Sequence, residues 1–270
     1  MSAASEERLM FWRRRVGRFA RTLLDTLLPP ACGYCGRPGQ MFCPDCRASV
    51  TWIREPVCET CGRPFDGRLC PACAGDPPAI QSIRAAVYYR DPVRRLIHRF
   101  KYEGLFALGR PLGQLMVEAW PRWQQPVDLV LPIPLHRRRQ RERGYNQSEL
   151  LVRELRRHLG WPSEPGALSR VRQTRPQMGL TAAERRANVH GAFEADPAGV
   201  GGKRVLLVDD VCTTGSTLTA AAIALREAGA RSVTAYCLCT VAARETVAER
   251  KAITYSIGDR DGYIDYQPQR

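Results

Sequence analysis

The chain has 270 residues and a formal net charge of +14 at pH 7, from 41 lysines and arginines against 27 acids. Hydrophobic residues make up 44% of it, which suffices for one domain of ordinary size and a small additional module. No stretch reaches the apolar length needed to cross a bilayer, so a membrane-spanning protein is excluded and a cytoplasmic protein is expected.

A basic amphipathic helix is predicted for residues 7–28, within an N-terminal segment of residues 1–30. Apolar side chains recur there at helical spacing with arginines between them, and Pro29 and Pro30 end the pattern. In one interpretation the apolar face packs on the rest of the chain. In the other, the helix contacts anionic lipid or a membrane-bound partner, which would place the protein peripherally at the inner membrane.

Eight of the 11 cysteines form four C-x-x-C pairs within residues 31–76. The pairs make an internal repeat, CGYCGRPGQMFCPDC followed by CETCGRPFDGRLCPAC, so that each half carries four thiols. Four thiolates form the ligand set of a closed, structural Zn²⁺ site. We therefore predict a double zinc ribbon with two Zn²⁺ ions, whose ligands are Cys32, Cys35, Cys43, Cys46, Cys58, Cys61, Cys70 and Cys73.

Two other uses of these cysteines fit less well. Disulfides are disfavoured because a cytosolic chain keeps its thiols reduced, and a redox C-x-x-C normally occurs once. Metal binding within each repeat is favoured, although the spacing alone leaves pairing across repeats open. The other cysteines, Cys212, Cys237 and Cys239, lie in apolar sequence and are predicted to be buried core thiols.

Residues 80–270 read as an α/β domain with a mostly parallel sheet, because strands alternate with helices. Strands are predicted at 83–89, 127–131, 167–171, 203–210 and 232–240, and helices at 93–102, 106–120, 146–159 and 220–228. Residues 132–136, PIPLH, are predicted as loop, since proline cannot continue a central strand. Residues 173–180 are predicted as a mobile loop before a capping box at 181–184.

Residues 205–218, VLLVDDVCTTGSTL, combine a buried strand, two acids, a loop rich in hydroxyls and the start of a helix. Gly215 allows close approach of a ligand, and the helix start offers unpaired N–H groups to an anion. Asp209 and Asp210 can accept hydrogen bonds from a sugar diol or hold Mg²⁺ through water. The order of these features predicts a sugar-phosphate site.

This segment resembles the phosphoribosyl-pyrophosphate (PRPP) signature of type I phosphoribosyltransferases, through VDDV at 208–211, Thr213-Thr214-Gly215 and Thr217. The resemblance implies that Asp209 and Asp210 bind the ribose hydroxyls, with Mg²⁺ accompanying PRPP. It also implies that the 5′-phosphate lies in a cradle formed by Val211, Thr213, Thr214, Gly215, Ser216 and Thr217.

The resemblance extends to the ComF family, in which a zinc ribbon is joined to a phosphoribosyltransferase domain of type I fold. It rests on FKYEG at 100–104, LPIPLHRRRQRERGYNQSELL at 131–151, RVRQTRPQMGLTAAERRANVHGAF at 170–193, the signature and the cysteine repeats. It implies a cytosolic role in DNA uptake or transformation, beside a membrane-associated helicase and a competence pore. Relatives are also described as similar to amidophosphoribosyltransferases.

Transferases of this type hold pyrophosphate in a loop after an early strand, here residues 131–137, with His136 and Arg137 as candidate contacts. Lys101 and Arg143 are further candidate pyrophosphate ligands, and we place Lys101 with Asp209 and Asp210 in the catalytic set. Arginine suits this role because its planar fork binds phosphate in a bidentate manner. Each candidate has an ordinary alternative: Lys101 as a solvated helix charge, His136 as a cap.

Two functions of different class follow. The first is a protein that binds PRPP and handles single-stranded DNA, because arginines cluster at 137–143 and 170–175 and aromatic residues lie between basic ones. The alternative is an active transferase that adds phosphoribosyl from PRPP to a base or an amine in nucleotide metabolism. The zinc module would brace the fold or dock a partner in either case.

Overall fold

The computed structural model describes residues 29–75, 78–164, 166–172, 184, 188–189 and 191–241. The helix predicted at 7–28, the mobile loop predicted at 173–180 and the start of the predicted capping box lie outside the described residues.

The centre of the molecule is a four-stranded parallel sheet with the strand order β1-β6-β5-β2. Its strands are β1 (Ser82–Tyr88), β2 (Leu129–Pro132), β5 (Arg204–Cys212) and β6 (Ser232–Thr240). A separate antiparallel pair joins β3 (Leu168–Arg170) to β4 (Phe193–Ala195). The predicted α/β class and the mostly parallel sheet are confirmed.

Five helices of the described residues accompany the sheet: α3 (Val93–Tyr102), α4 (Gly109–Ala119), α5 (Arg137–Arg143), α6 (Gln147–Leu159) and α8 (Ser216–Glu227). A one-turn helix, α7 (Pro197–Val200), precedes β5. Short 3₁₀ turns, Phe106–Leu108 and Trp120–Arg122, flank α4, so the helix predicted at 106–120 is interrupted at its start. Gly109 and Gly113 let α4 approach α6, since a Cβ at Gly113 would lie 2.6 Å from that of Glu154.

Two local predictions are wrong, and one helix was not predicted. Pro132 is the last residue of β2, not loop, and it is tolerated because β2 is an edge strand of the described sheet. Helix α5 was not predicted, because RRRQRER has no apolar periodicity; it is capped by His136 and ended by Gly144 at φ +80°. Helix α8 begins at Ser216 rather than 220, since the signature loop is shorter than predicted.

The cysteine repeats form two small units, here named ribbon 1 (residues 31–50) and ribbon 2 (residues 57–75). Each contains one short helix that carries the last cysteine of the repeat: α1 (Pro44–Ala48) carries Cys46, and α2 (Pro71–Gly75) carries Cys73. The chain between them lies along the outer edge of β1: Tyr88 N–H donates to Thr51 O at 2.9 Å, and Ile53 N–H to Ala86 O at 3.2 Å. The ribbons therefore cover an edge of the sheet that would otherwise be open to pairing.

The hydrophobic core is continuous from ribbon 1 into the sheet. Cys32, Phe42 and Ile53 are buried in the same cluster as Leu96 of α3 and Val208 of β5. The cysteines of ribbon 2 form a separate cluster with Phe65. Cys212, Cys237 and Cys239 are buried in the main core, as predicted. No helix among the described residues is long and apolar enough to span a bilayer.

Candidate functional site

The two acids of the signature lie at the carboxyl end of β5, where ligands of parallel sheets bind. They are adjacent in an extended strand, so their side chains leave opposite faces and take different partners. Asp209 Oδ1 accepts from Ser148 Oγ at 3.0 Å and from the Asp210 N–H at 2.8 Å. Asp210 Oδ1 is 2.7 Å from Lys101 Nζ, and both side chains are largely buried, with 8% and 21% exposed.

The charges of Lys101 and Asp210 act on the protonation of their neighbours. Burial and the neighbouring Asp210 carboxylate raise the pKa of Asp209 to about 7, against the opposing effect of Lys101. Burial alone would lower the pKa of Lys101, but the Asp210 carboxylate outweighs it, and the pKa of Lys101 is raised. Lys101 therefore remains charged and neutralises Asp210, while Asp209 is the group whose protonation changes near neutral pH.

Loop 213–215 links the acids to the N-terminus of α8. Gly215, at φ +80°, is the residue before the helix, a conformation that strains any residue with a Cβ. Thr214 Oγ1 lies 2.7 Å from Ser216 Oγ and accepts a long bond from the Ser216 N–H at 3.4 Å. A cavity of about 40 Å³ opens here, and its lining residues are Asp209, Val211, Cys212, Thr213, Gly215, Ser216, Thr217 and Leu218.

Of the predicted sugar-phosphate residues, Asp210 pairs with Lys101 and does not line this small cavity, whose lining includes Asp209, Val211, Thr213, Gly215, Ser216 and Thr217. Thr214 supports this wall through Ser216 without lining the cavity itself. Since α8 is 12 residues long, its N-terminus carries the full positive end of a helix dipole. This arrangement can hold an anion beside a sugar diol.

The residues predicted to contact pyrophosphate, besides Lys101, lie in a neighbouring region. His136 Nδ1 accepts from the Arg138 N–H at 3.3 Å, so His136 caps α5, and Arg137 is the first residue of that helix and exposed. Arg143 Nη1 donates to Gln147 Oε1 at 2.6 Å, and its guanidinium lies 5.3 Å from the ring centre of Tyr102. Gln147 in turn donates to Phe100 O, which ties Arg143 to the end of α3 that carries Lys101.

The sequence analysis missed three residues of this region. Ser148 holds Asp209; the only sequence signal was its position within the quoted NQSELL segment. Arg170 is close enough to Asp209 and Arg139 for their charges to act on its pKa, although burial is the main cause of its lowering. Ile83, on β1, contacts Gly215, and nothing in the sequence pointed to that contact.

The eight cysteines form two four-sulfur clusters, each within one repeat: Cys32, Cys35, Cys43 and Cys46, and Cys58, Cys61, Cys70 and Cys73. In each cluster the sulfur atoms lie within 4.8 Å of one another, which fits a tetrahedral thiolate site. Burial is outweighed by backbone N–H groups at Cys32 and Cys58, whose pKa is lowered to about 6, whereas burial raises the pKa of Cys46, Cys61 and Cys73. The two predicted structural zinc sites, paired within repeats, are supported.

Comparison with known proteins agrees with this division. The double zinc ribbon domain model matches residues 23–81, and the phosphoribosyl transferase domain model matches residues 148–261. The chain thus combines a double zinc ribbon with a phosphoribosyltransferase domain.

Relatives that align over most of their length show to which family the chain belongs. The DNA utilization protein YhgH of Escherichia coli K12 is 34% identical over 215 residues, covering 77% of this chain and 88% of that protein. Competence protein F of Haemophilus influenzae is 33% identical over 201 residues, covering 71% and 87%, and ComFC of Bacillus subtilis is 27% identical over 214 residues, covering 75% and 85%. The chain belongs to the ComF family.

Solved structures give a more distant likeness. The glutamine PRPP amidotransferase of B. subtilis is 24% identical, with a TM-score of 0.35, over 49% of this chain and 26% of that one. A regulatory enzyme of purine biosynthesis is 23% identical, with a TM-score of 0.34 over the same shares. The chain therefore spans about a quarter of either protein.

Proposed function

We propose that this protein binds PRPP with Mg²⁺ at the carboxyl end of β5 and acts in the handling of DNA taken up by the cell. The observation that carries the first part is the buried Asp209–Asp210 pair at the end of β5, in which Asp209 lines the cavity beside the hydroxyl loop and Asp210 pairs with Lys101. The names of the relatives, DNA utilization protein and competence protein, support the second part.

In this proposal the acids bind the ribose diol and the loop binds the 5′-phosphate. Ionised carboxylates accept hydrogen bonds from hydroxyls, and the N–H groups and hydroxyls at the start of α8 donate to phosphate oxygens. Residues Val211, Thr213, Thr214, Gly215, Ser216 and Thr217 form the phosphate side. Mg²⁺ would bring charge neutralisation to the pyrophosphate, to which Lys101, His136, Arg137 and Arg143 are the candidate protein ligands.

The test is calorimetric titration of PRPP with Mg²⁺ into the zinc-loaded wild type and into Asp209→Ala/Asp210→Ala. We expect binding to the wild type that the double variant loses. A matched control, Glu118→Ala/Glu227→Ala, removes two exposed acids that lie elsewhere and should bind as the wild type does. Binding that survives in the Asp209/Asp210 variant would overturn the assignment of the site.

The transferase alternative uses the same site and differs only in turnover. It requires loss of pyrophosphate from the ribose C1 and attack there by a nitrogen nucleophile, with the positive groups stabilising the leaving pyrophosphate. Release of pyrophosphate when PRPP is mixed with a panel of bases and amines would support it. Binding without release across that panel would leave PRPP as a ligand rather than a substrate.

Single-stranded DNA binding is favoured by a separate observation on α5 and α3. Helix α5 carries five arginines and one glutamate, and Tyr102 and Phe106, nearby, are 65% and 64% exposed. Arg143 lies over the Tyr102 ring and Phe106 meets the edge of Tyr145. Positive charge beside exposed rings suits a strand whose phosphates bind the arginines and whose bases stack.

The test is the affinity for a short single-stranded oligonucleotide as a function of salt. Tyr102→Ala/Phe106→Ala should weaken binding by roughly tenfold or more, since each stacked base contributes about 1–3 kcal/mol. Leu69→Ala/Ile223→Ala, which removes exposed apolar side chains elsewhere, is the control. Equal affinity of the two double variants would overturn this second function.

A peripheral location beside a helicase at the inner membrane is the last part of the proposal. It rests on the basic amphipathic pattern of residues 7–28 and on the ComF resemblance. Sedimentation with vesicles containing anionic lipid should capture the full chain and not a chain lacking residues 1–28. Equal capture of both chains would contradict it.

A further inference from the structure

Ribbon 2 contacts strand β1 through backbone groups, and its Val57 also packs against the main core. Its Thr60 O accepts from the Ile83 N–H of β1 at 2.7 Å. Two residues on, Gly62 has φ +67°, and a Cβ there would lie 2.4 Å from Ile83 O. The turn at Thr60–Gly62, which contains the predicted zinc ligand Cys61, therefore packs against both the N–H and the carbonyl oxygen of Ile83.

The side chain of the same residue reaches the sugar-phosphate site. Ile83 is 5% exposed, and its Cδ1 lies 3.0 Å from where a Cβ on Gly215 would stand. Gly215 is the residue from which α8 starts, so Ile83 supports the turn that presents the helix N–H groups. One isoleucine thus contacts ribbon 2 with its backbone and the phosphate loop with its side chain.

We infer that ribbon 2 braces the phosphate loop, and that Ile83 is the positioning residue through which the Thr60–Gly62 turn holds Gly215 in place. Zinc at Cys58, Cys61, Cys70 and Cys73 would fix that turn, because a ribbon this small has little core of its own. Disturbing ribbon 2 should then loosen the loop although no cysteine of the ribbon touches the ligand. The consequence for PRPP rests on the proposed function; the packing itself does not.

The test uses Ile83→Val, which deletes the Cδ1 methyl that faces Gly215 and little else. Its control is Ile80→Val, the same deletion at another buried isoleucine nearby. Amide hydrogen exchange should become faster at residues 213–217 in Ile83→Val and not in Ile80→Val. Gly62→Ala, which acts from the ribbon side by pressing on Ile83 O, should produce the same local change. Metal analysis should find two zinc ions in Ile83→Val.

Calorimetry with PRPP and Mg²⁺ is the second measurement. Ile83→Val should weaken binding by about fivefold, which corresponds to about 1 kcal/mol, and Ile80→Val should not. Unchanged exchange at 213–217 in both Ile83→Val and Gly62→Ala would overturn the inference, whatever PRPP does. If the wild type fails to bind PRPP, the proposed function fails, and the exchange data alone decide whether ribbon 2 braces the loop.

Discussion

The two ribbons share one motif but are joined to the molecule in different ways. In ribbon 1, Cys32, Cys43 and Cys46 are part of the main core, where they lie with Leu96 of α3. In ribbon 2 the cysteines form their own cluster, and the attachment to β1 is made by backbone groups. The same local sequence thus gives the same local fold, while its neighbours decide what the fold supports.

The difference extends to the candidate site. Ribbon 1 contacts α3: Arg99 Nη1 donates to Gly33 O at 2.8 Å, and Lys101 on the same helix pairs with Asp210. Ribbon 2 contacts β1, which reaches Gly215 through Ile83. Ribbon 1 therefore contacts the helix that carries Lys101, and ribbon 2 contacts the strand whose Ile83 reaches Gly215.

The largest expected effect separates the ribbons by global stability. Cys43→Ser removes a ligand that is also part of the main core, and we expect a loss of about 4 kcal/mol, or roughly 10 °C in Tm. Cys70→Ser should unfold ribbon 2 locally and lower the main transition by only about 2 °C, since its cluster is separate. Calorimetry with zinc analysis measures both, and equal falls in Tm would contradict the division of the core.

A pair of glycine substitutions should reverse that order. A Cβ on Gly33 would meet Leu96 Cδ2 at 2.7 Å, the end of a side chain that can rotate, so Gly33→Ala should cost about 1 kcal/mol. Gly62 has φ +67° and would press on a backbone oxygen at 2.4 Å. Gly62→Ala should therefore cost about 3 kcal/mol, from backbone strain and overpacking together. Denaturant unfolding decides, and Gly36→Ala, with positive φ but open space, isolates the strain.

Removing the charge that ribbon 1 helps to place should have a pH-dependent cost. Lys101→Met leaves the two acids without their cation, and we expect a loss of about 2 kcal/mol at pH 8, below the usual cost of breaking a fully buried pair. The loss should shrink toward pH 5, because the folded state then takes up a proton at the acids. Arg99→Met, which removes a contact to ribbon 1 on the same helix, should show a loss that is flat between these pH values.

How well these features could be predicted depends on how far apart in the sequence the interacting residues lie. The cysteine spacing and the strand, acids and loop at 205–218 are local, so the two cysteine clusters and the order of strand, loop and helix could be predicted. The sugar-phosphate role of these residues stays a prediction. The Lys101–Asp210 pair joins residues 109 positions apart, and the FKYEG segment indicated Lys101 without its partner. No local sequence pattern indicates the contact between Ile83 and Gly215, since isoleucine is common in buried strands. Helix α5 was missed because it forms on a cap and charge pairs, including Arg138 with Glu142, rather than on an apolar face.

The smallest expected effect distinguishes the two halves of the site by titration. Burial and Asp210 raise the pKa of Asp209 to about 7, far above the ordinary value for an aspartate. The folded state therefore holds an extra proton there below pH 7, so this group's contribution to stability falls as the pH rises toward 7. A sugar diol or hydrated Mg²⁺ needs the ionised form, so PRPP affinity should rise with pH, by up to about tenfold per unit below pH 7.

The hydroxyls of loop 213–215 and of Ser216 do not titrate in this range. Asp209→Asn should thus lose this slope and keep only that of the ligand's own phosphates, whereas Ser216→Ala should bind more weakly at every pH with the slope unchanged. Titrations between pH 6 and 8 measure this, and a slope in Asp209→Asn equal to that of the wild type would assign the pH dependence to the ligand alone.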